Sequence, residues 1–171
     1  AVPKPAQSST LPSPSGVAPA PGKRTASTSL PFATAASGTP MPAVVLPHGG
    51  PSARDEWGFD WLAQFLAARG YVVIQPNYRG SAGYGDEFQN ENAYRNWQTA
   101  MADITDSARY LIDSGIAAKD RVAIVGWSYG GYAALQSAET DPDLFKAVVA
   151  IAPVTDLDLR KRQAEGFTNA A

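Results

Sequence analysis

Five residues, Gly126-Trp127-Ser128-Tyr129-Gly130, constrain this chain more than any other feature. They follow the apolar run 122–125 (VAIV) and open an alanine-rich segment, so they spell G-x-S-x-G between a strand and a helix. A turn that sharp leaves little room beyond hydrogen at its flanks, which accounts for glycine two places either side of Ser128. It lifts the Ser128 hydroxyl above the carboxyl ends of the strands, where open α/β sheets bind ligands. A helix beginning at Tyr129 turns unpaired N–H groups and its positive end toward a developing oxyanion. The plainer reading is an N-cap serine behind a packing glycine. The additional Gly131 favours the elbow.

The remaining apolar runs fit one architecture. "PAVVLP", "YVVIQP", "RVAIVGW" and "AVVAIAPV" read as four strands without polar alternation. Between them lie helical patterns. "DWLAQFLAARG" places Leu62, Phe65, Leu66 and Arg69 at helical spacing, with Asp60 as N-cap and Gly70 as C-terminal stop. Trp97, Met101, Ile104, Ala108 and Leu111 form an apolar stripe on a longer helix, and "YAALQSA" opens a third. Buried strands alternating with helices predict an α/β fold: a parallel sheet covered by helices on both faces, with right-handed crossovers. The polar stretch after Val154 reads as a tail.

Residues 1–40 differ in texture. Pro, Ala, Ser and Thr dominate, with Lys4, Lys23 and Arg24 and no acid, so this segment is expected to be a linker or disordered tail. Within it "SLPFATAA" is an alternative edge strand, against which Pro31 removes a ladder donor. Prolines interrupt every candidate apolar core of a signal peptide. The globular part is expected over 41–171.

A composition of 44% hydrophobic and 18% charged residues can bury a core, and a net charge of −2 gives nucleic acid and anionic membranes no electrostatic hold. No apolar run approaches the roughly 20 residues of a membrane span. The chain has no cysteine and one histidine, His48, so neither thiolates nor a histidine cluster can bind a metal, and no cofactor is expected. The compartment stays open between cytoplasm and periplasm or exterior.

Two further motifs bear on Ser128. "PHGGPSA" follows the first strong strand, and its glycine pair lets a backbone N–H approach a reacting carbonyl oxygen. The Gly50 amide then pairs with that of Tyr129 as an oxyanion hole, the alternative being a simple strand-ending turn. "PNYRGSAGYGDEF" follows the second strong strand. Its Tyr78, Arg79 and Tyr84 either line a substrate pocket or hold the loop together.

"LPHGGP", "PNYRGSAGYG" and "GWSYGGYAAL", in this order and spacing, resemble the catalytic domain of prolyl oligopeptidase-family serine peptidases, nearest to acylaminoacyl-peptidase and dipeptidyl-peptidase-like members. The likeness runs from about Pro42 to Pro153. It implies a partial α/β-hydrolase fold, Ser128 as acylated nucleophile, Tyr129 and Gly50 as oxyanion donors, and short peptides as substrates. It also implies that the 171 residues hold strands three to six of an eight-strand sheet. The family's propeller precedes such a domain, and its acid Asp and base His follow two further strands.

A serine hydroxyl is a poor nucleophile until a base takes its proton. No histidine follows Ser128; Asp141, Asp143, Asp156 and Asp158 do, but an acid without imidazole has nothing to orient. His48 is either a substitute base or a group that holds the oxyanion turn through backbone hydrogen bonds. Three readings follow: a serine peptidase domain fragment, an esterase of the same fold acting on esters, and a non-catalytic remnant used for binding or assembly. The last strand is expected to expose an edge that invites self-association.

Overall fold

Within the strand β3 (Val72–Asn77), Val72 and Ile74 point to one face and Val73 to the other, and that alternation sets the layers. The structure, a computed structural model, describes residues 27–29, 38–89 and 96–165. On one face Ala43 and Val45 of β2 (Met41–Val45) and Val122 and Ile124 of β4 (Ala117–Trp127) join Val72 and Ile74 in the main core. Two helices close it: α3 (Trp97–Asp113) contributes Met101, Ile104, Ala108 and Leu111, and α4 (Tyr129–Thr140) contributes Ala133 and Ala134. On the opposite face α1 (Trp61–Ala68) packs Ala63, Leu62 and Leu66 against Leu46, Val73 and Val125. Helices cover both faces, as the pattern predicts.

Strands β3, β2, β4 and β5 (Ala147–Ile151) lie side by side in parallel. The caps behave as read: Asp60 accepts from the Ala63 N–H at 2.7 Å, and Gly70 takes a φ of 88° just past α1. The stripe on α3 is buried from Met101 to Leu111, with Trp97 only half-buried. None of the helices among the described residues is long and apolar enough to cross a membrane.

Three departures have local causes. A short strand, β1 (Ser27–Ser29), pairs antiparallel with Gln75–Asn77 of β3, so part of the segment expected as linker adds to the sheet. Ser29 also begins the alternative edge strand; residues 30–37 lie outside the described residues, as do 1–26. Strand β4 starts at Ala117, four residues before the run "RVAIVGW", because Ala117 pairs with Met41 ahead of a register shift. The expected polar tail includes a helix, α5 (Leu157–Ala164), without an apolar stripe. Asp156 starts it by accepting from the Leu159 N–H at 2.7 Å, with Asp158 in its first turn and Lys161 and Arg162 in its last. A four-residue helix, α2 (Asp86–Gln89), lies in the loop after β3.

Candidate active site

Ser128 stands where β4 meets α4, with φ 58° and ψ −117°. Non-glycine residues seldom hold a positive φ, and such backbone costs about 1–3 kcal/mol unless its surroundings enforce it. Here they do. The Ser128 N–H donates to Ile151 O at 3.0 Å, and its carbonyl accepts the Tyr132 N–H at 3.0 Å. A Cβ on Gly126 would lie 2.0 Å from Gly130 O, and one on Gly130 would lie 2.2 Å from Pro47 O. Gly131 has Pro153 Cβ 3.1 Å from where its own would be. These glycines let β4 fold back onto α4 and let the 47–50 turn settle against both.

The Ser128 side chain makes no capping bond to α4, and the residue is exposed. Its hydroxyl is therefore not spent as an N-cap. Tyr129 is the first residue of α4, so its N–H lies at the positive end of the helix.

The turn carrying Gly50 lies beside the elbow. A Cβ on Gly49 would meet Trp127 O at 3.2 Å and Ser128 Cβ at 3.6 Å. Gly50 has φ 126°, and a Cβ there would fall 2.8 Å from the backbone nitrogens of Ser52 and Ala53. Only glycine fits.

His48 is half-buried, and both ring nitrogens have partners: Nδ1 lies 2.7 Å from Gly49 O and Nε2 2.8 Å from Ser81 Oγ. Burial pushes its pKa below the usual 6.5, against the opposing pull of the Gly49 carbonyl. The ring stacks on Tyr78 with centroids 4.5 Å apart, and Tyr78 lies 6.2 Å from Tyr129. The three motifs thus meet in one aromatic stack. Both ring nitrogens thus face partners other than Ser128, an arrangement that suits a ring holding the turn.

The three residues weighed as pocket lining or loop support all make bonds that tie the loop down. Tyr78 is completely buried, and its hydroxyl donates to His48 O at 2.7 Å. Arg79 makes a forked pair with Asp103 of α3, Nε to Oδ2 at 2.8 Å and Nη2 to Oδ1 at 2.7 Å, and its backbone N–H donates to the same Oδ2. That bond raises the guanidinium pKa further. Tyr84 OH accepts from Asn77 Nδ2 at 2.9 Å, and its ring lies under Arg54. A groove of about 550 Å³ lies on the α1 face between Val44, Phe65, Tyr71 and Val125, none of which belongs to the elbow or the oxyanion turn.

Asn77, Ser81 and Asp103 are buried polar residues that sequence reading passed over. Asn77 exchanges hydrogen bonds with the Asp55 backbone at 2.8 and 3.0 Å, joining the segments after β2 and β3. The hint of it in the sequence is a polar residue closing a largely apolar strand. Among the described residues no cluster of His, Cys, Asp and Glu is arranged to hold a metal ion.

Comparison with known proteins agrees with the motif pattern. The profile of the prolyl oligopeptidase family matches residues 57–169. The chain is 42% identical over 120 residues to dipeptidyl aminopeptidase BIII of Pseudoxanthomonas mexicana, covering 70% of this chain and 17% of that protein. It is 38% identical over 118 residues to dipeptidyl peptidase family member 6 of Caenorhabditis elegans, covering 69% and 16%. A puromycin-hydrolyzing peptidase of Mycobacterium tuberculosis superposes with a TM-score of 0.69 at 37% identity, over 77% of this chain and 20% of that one. The chain spans less than a fifth of the length of these two curated relatives.

Proposed function

The chain belongs to the prolyl oligopeptidase family, and from that premise we propose that it carries the nucleophile half of a serine peptidase acting through an acyl-enzyme on Ser128. One observation carries the reading: an exposed serine, free of any capping bond, held at φ 58° between a strand and a helix.

In this reading the Ser128 oxygen attacks a carbonyl carbon of the substrate. The carbonyl oxygen takes the negative charge, facing the N–H groups of Tyr129 and Gly50. Collapse expels the amine or alcohol, which gains the proton that Ser128 lost, and leaves the acyl group as an ester on Oγ. Water hydrolyses that ester and restores the serine. The relatives are named as dipeptidyl peptidases and a puromycin hydrolase, which favours short substrates cleaved near an amino-terminal residue.

Proton transfer limits the 171 residues. Their one histidine has both nitrogens engaged, so acylation relies on oxyanion donors and binding, worth about 10³–10⁴-fold over water. Activated esters, whose leaving groups need no proton, are the substrates suited to it. The test is p-nitrophenyl acetate hydrolysis beside an aminoacyl p-nitroanilide. Slow ester turnover lost in Ser128→Ala, without anilide cleavage, is expected. Turnover unchanged by Ser128→Ala would overturn the reading.

A further inference from the structure

Among the described residues two that are not glycine hold a positive φ, Ser128 at 58° and Ala152 at 43°. They stand side by side. Each directly follows a member of the Trp127–Ile151 pair that ends the β4–β5 ladder, and the Ser128 N–H donates to Ile151 O at 3.0 Å. The nucleophile accounts for the first of these strained residues and leaves the second without a reason. Elsewhere among the described residues a positive φ falls to glycine, at seven positions from Gly38 to Gly115, and the following Pro153 restricts residue 152 further. Strain of this kind persists where the surroundings enforce it, and it gathers at active sites.

Gly131 is also unaccounted for, since G-x-S-x-G asks for glycine at 126 and 130 alone. A Cβ on Gly131 would lie 3.1 Å from Pro153 Cβ and 3.2 Å from its Cα, so the missing side chain makes room for Pro153. The two features belong together. Hydrogen bonding to Ser128 fixes the planar Ile151–Ala152 peptide, and the first bond able to turn after it is the one that φ of Ala152 describes. At 43° it brings the chain onto the start of α4. Pro47 O crowds Gly130 in the same way, so the first turn of α4 is gripped from the ends of β2 and β5, the two strands that flank β4. Alanine has a small left-handed well, whereas glycine ranges widely. The Cβ of Ala152 thus costs stability and fixes the direction in which Pro153 leaves the sheet.

We propose that Ala152 is a positioning residue for the nucleophile: its left-handed turn lays Pro153 against Gly131 and fixes the first turn of α4, and with it the Ser128 oxygen and the Tyr129 N–H. The proposal rests on the reading of Ser128 as nucleophile. Ala152 touches no reacting atom; it acts through Pro153 and Gly131.

Ala152→Gly keeps the fold, because glycine admits every conformation that alanine does. It is expected to unfold at the same denaturant concentration as wild type or a higher one. Its maximal acylation rate by p-nitrophenyl acetate should nevertheless fall about tenfold, with half-saturation unchanged. Amide exchange reads the clamp without chemistry. The Tyr132 N–H, bonded to Ser128 O at 3.0 Å, should exchange about tenfold faster in the variant, while that of Ser137, further along α4, does not change. Stability and rate falling together, or equal rates with equal exchange, would overturn the role given to Ala152 and leave Ser128 the nucleophile. Absence of acylation in wild type overturns the nucleophile reading instead, and the exchange rates then decide the clamp by themselves.

Discussion

A methyl group on Gly126 would lie 2.0 Å from the carbonyl oxygen of Gly130. Neither atom can yield without moving β4 away from α4, since Gly130 is itself pressed against Pro47 O. Gly126→Ala is expected to cost about 3 kcal/mol of stability, at the upper end for forced overpacking. It should also remove Ser128 acylation under conditions where the variant stays folded. Chemical denaturation and ester turnover measured together check both.

Strain at the nucleophile yields the opposite sign. Ser128 holds φ 58° for the sake of its oxygen, and alanine there would be strained equally. Glycine would not. Ser128→Gly is expected to be more stable than Ser128→Ala by about 1 kcal/mol after glycine's extra unfolded-state entropy is allowed for. Both variants should be inactive. Equal denaturation midpoints at equal slope would mean the elbow is not strained.

The sequence showed the sheet and the elbow because both are written locally. Continuous apolar runs mark β2, β3, β4 and β5, and glycines at 126, 130 and 131 mark the turn. What it hid is non-local or lacks an apolar pattern. Arg79 and Asp103 stand 24 residues apart, and nothing in either neighbourhood names the other. Tyr78 and Tyr84 in a glycine-rich loop look the same whether they line a pocket or pack beneath one. Their bonds, to His48 O and from Asn77, form only once the chain folds. Helix α5 has a cap but no apolar stripe, so hydrophobic periodicity cannot find it.

The Arg79–Asp103 pair should matter to stability more than a surface ion pair does. Asp103 is 8% exposed, and removing the guanidinium leaves a buried carboxylate with little beyond a backbone N–H. Arg79→Ala is expected to cost about 2 kcal/mol. Arg79→Lys should recover little of that, since an ammonium cannot reproduce the fork. Recovery of most of the loss by lysine would reduce the contact to simple charge.

Two buried groups give opposite pH slopes. Burial, with the charge of Asp60, pushes the Asp55 carboxyl from 3.8 up to about 6, and its Oδ2 is buried without a hydrogen-bond partner. The fold thus holds that proton more tightly than the open chain does. Its stabilising contribution is complete below about pH 4 and is lost as the pH rises to about 6. His48, lowered from 6.5, contributes above that pH and loses its contribution as the pH falls further. Comparing wild type with Asp55→Asn separates them. Wild type should lose about 1 kcal/mol relative to the variant between pH 4 and 6, a figure reduced for partial exposure. A flat difference would place Asp55 in water.

Strand β5 raises a question of association. Among the described residues it pairs only with β4, so its other edge presents unsatisfied N–H and C=O groups. Its side chains give no protection: Val149 is 46% and Ile151 38% exposed, and no charge lies within Ala147–Ile151. Edges that stay monomeric usually carry a lysine, a proline or a bulge, and this one carries none of these inside the strand. We therefore propose that two copies pair through β5, burying Val149 and Ile151 against their counterparts. Gel filtration across a dilution series should show a dimer that dissociates on dilution. Val149→Lys, which sets like charges beside each other at such a junction, should shift the protein toward monomer without lowering its denaturation midpoint. A single monomer peak for wild type at its highest soluble concentration would rule the pairing out.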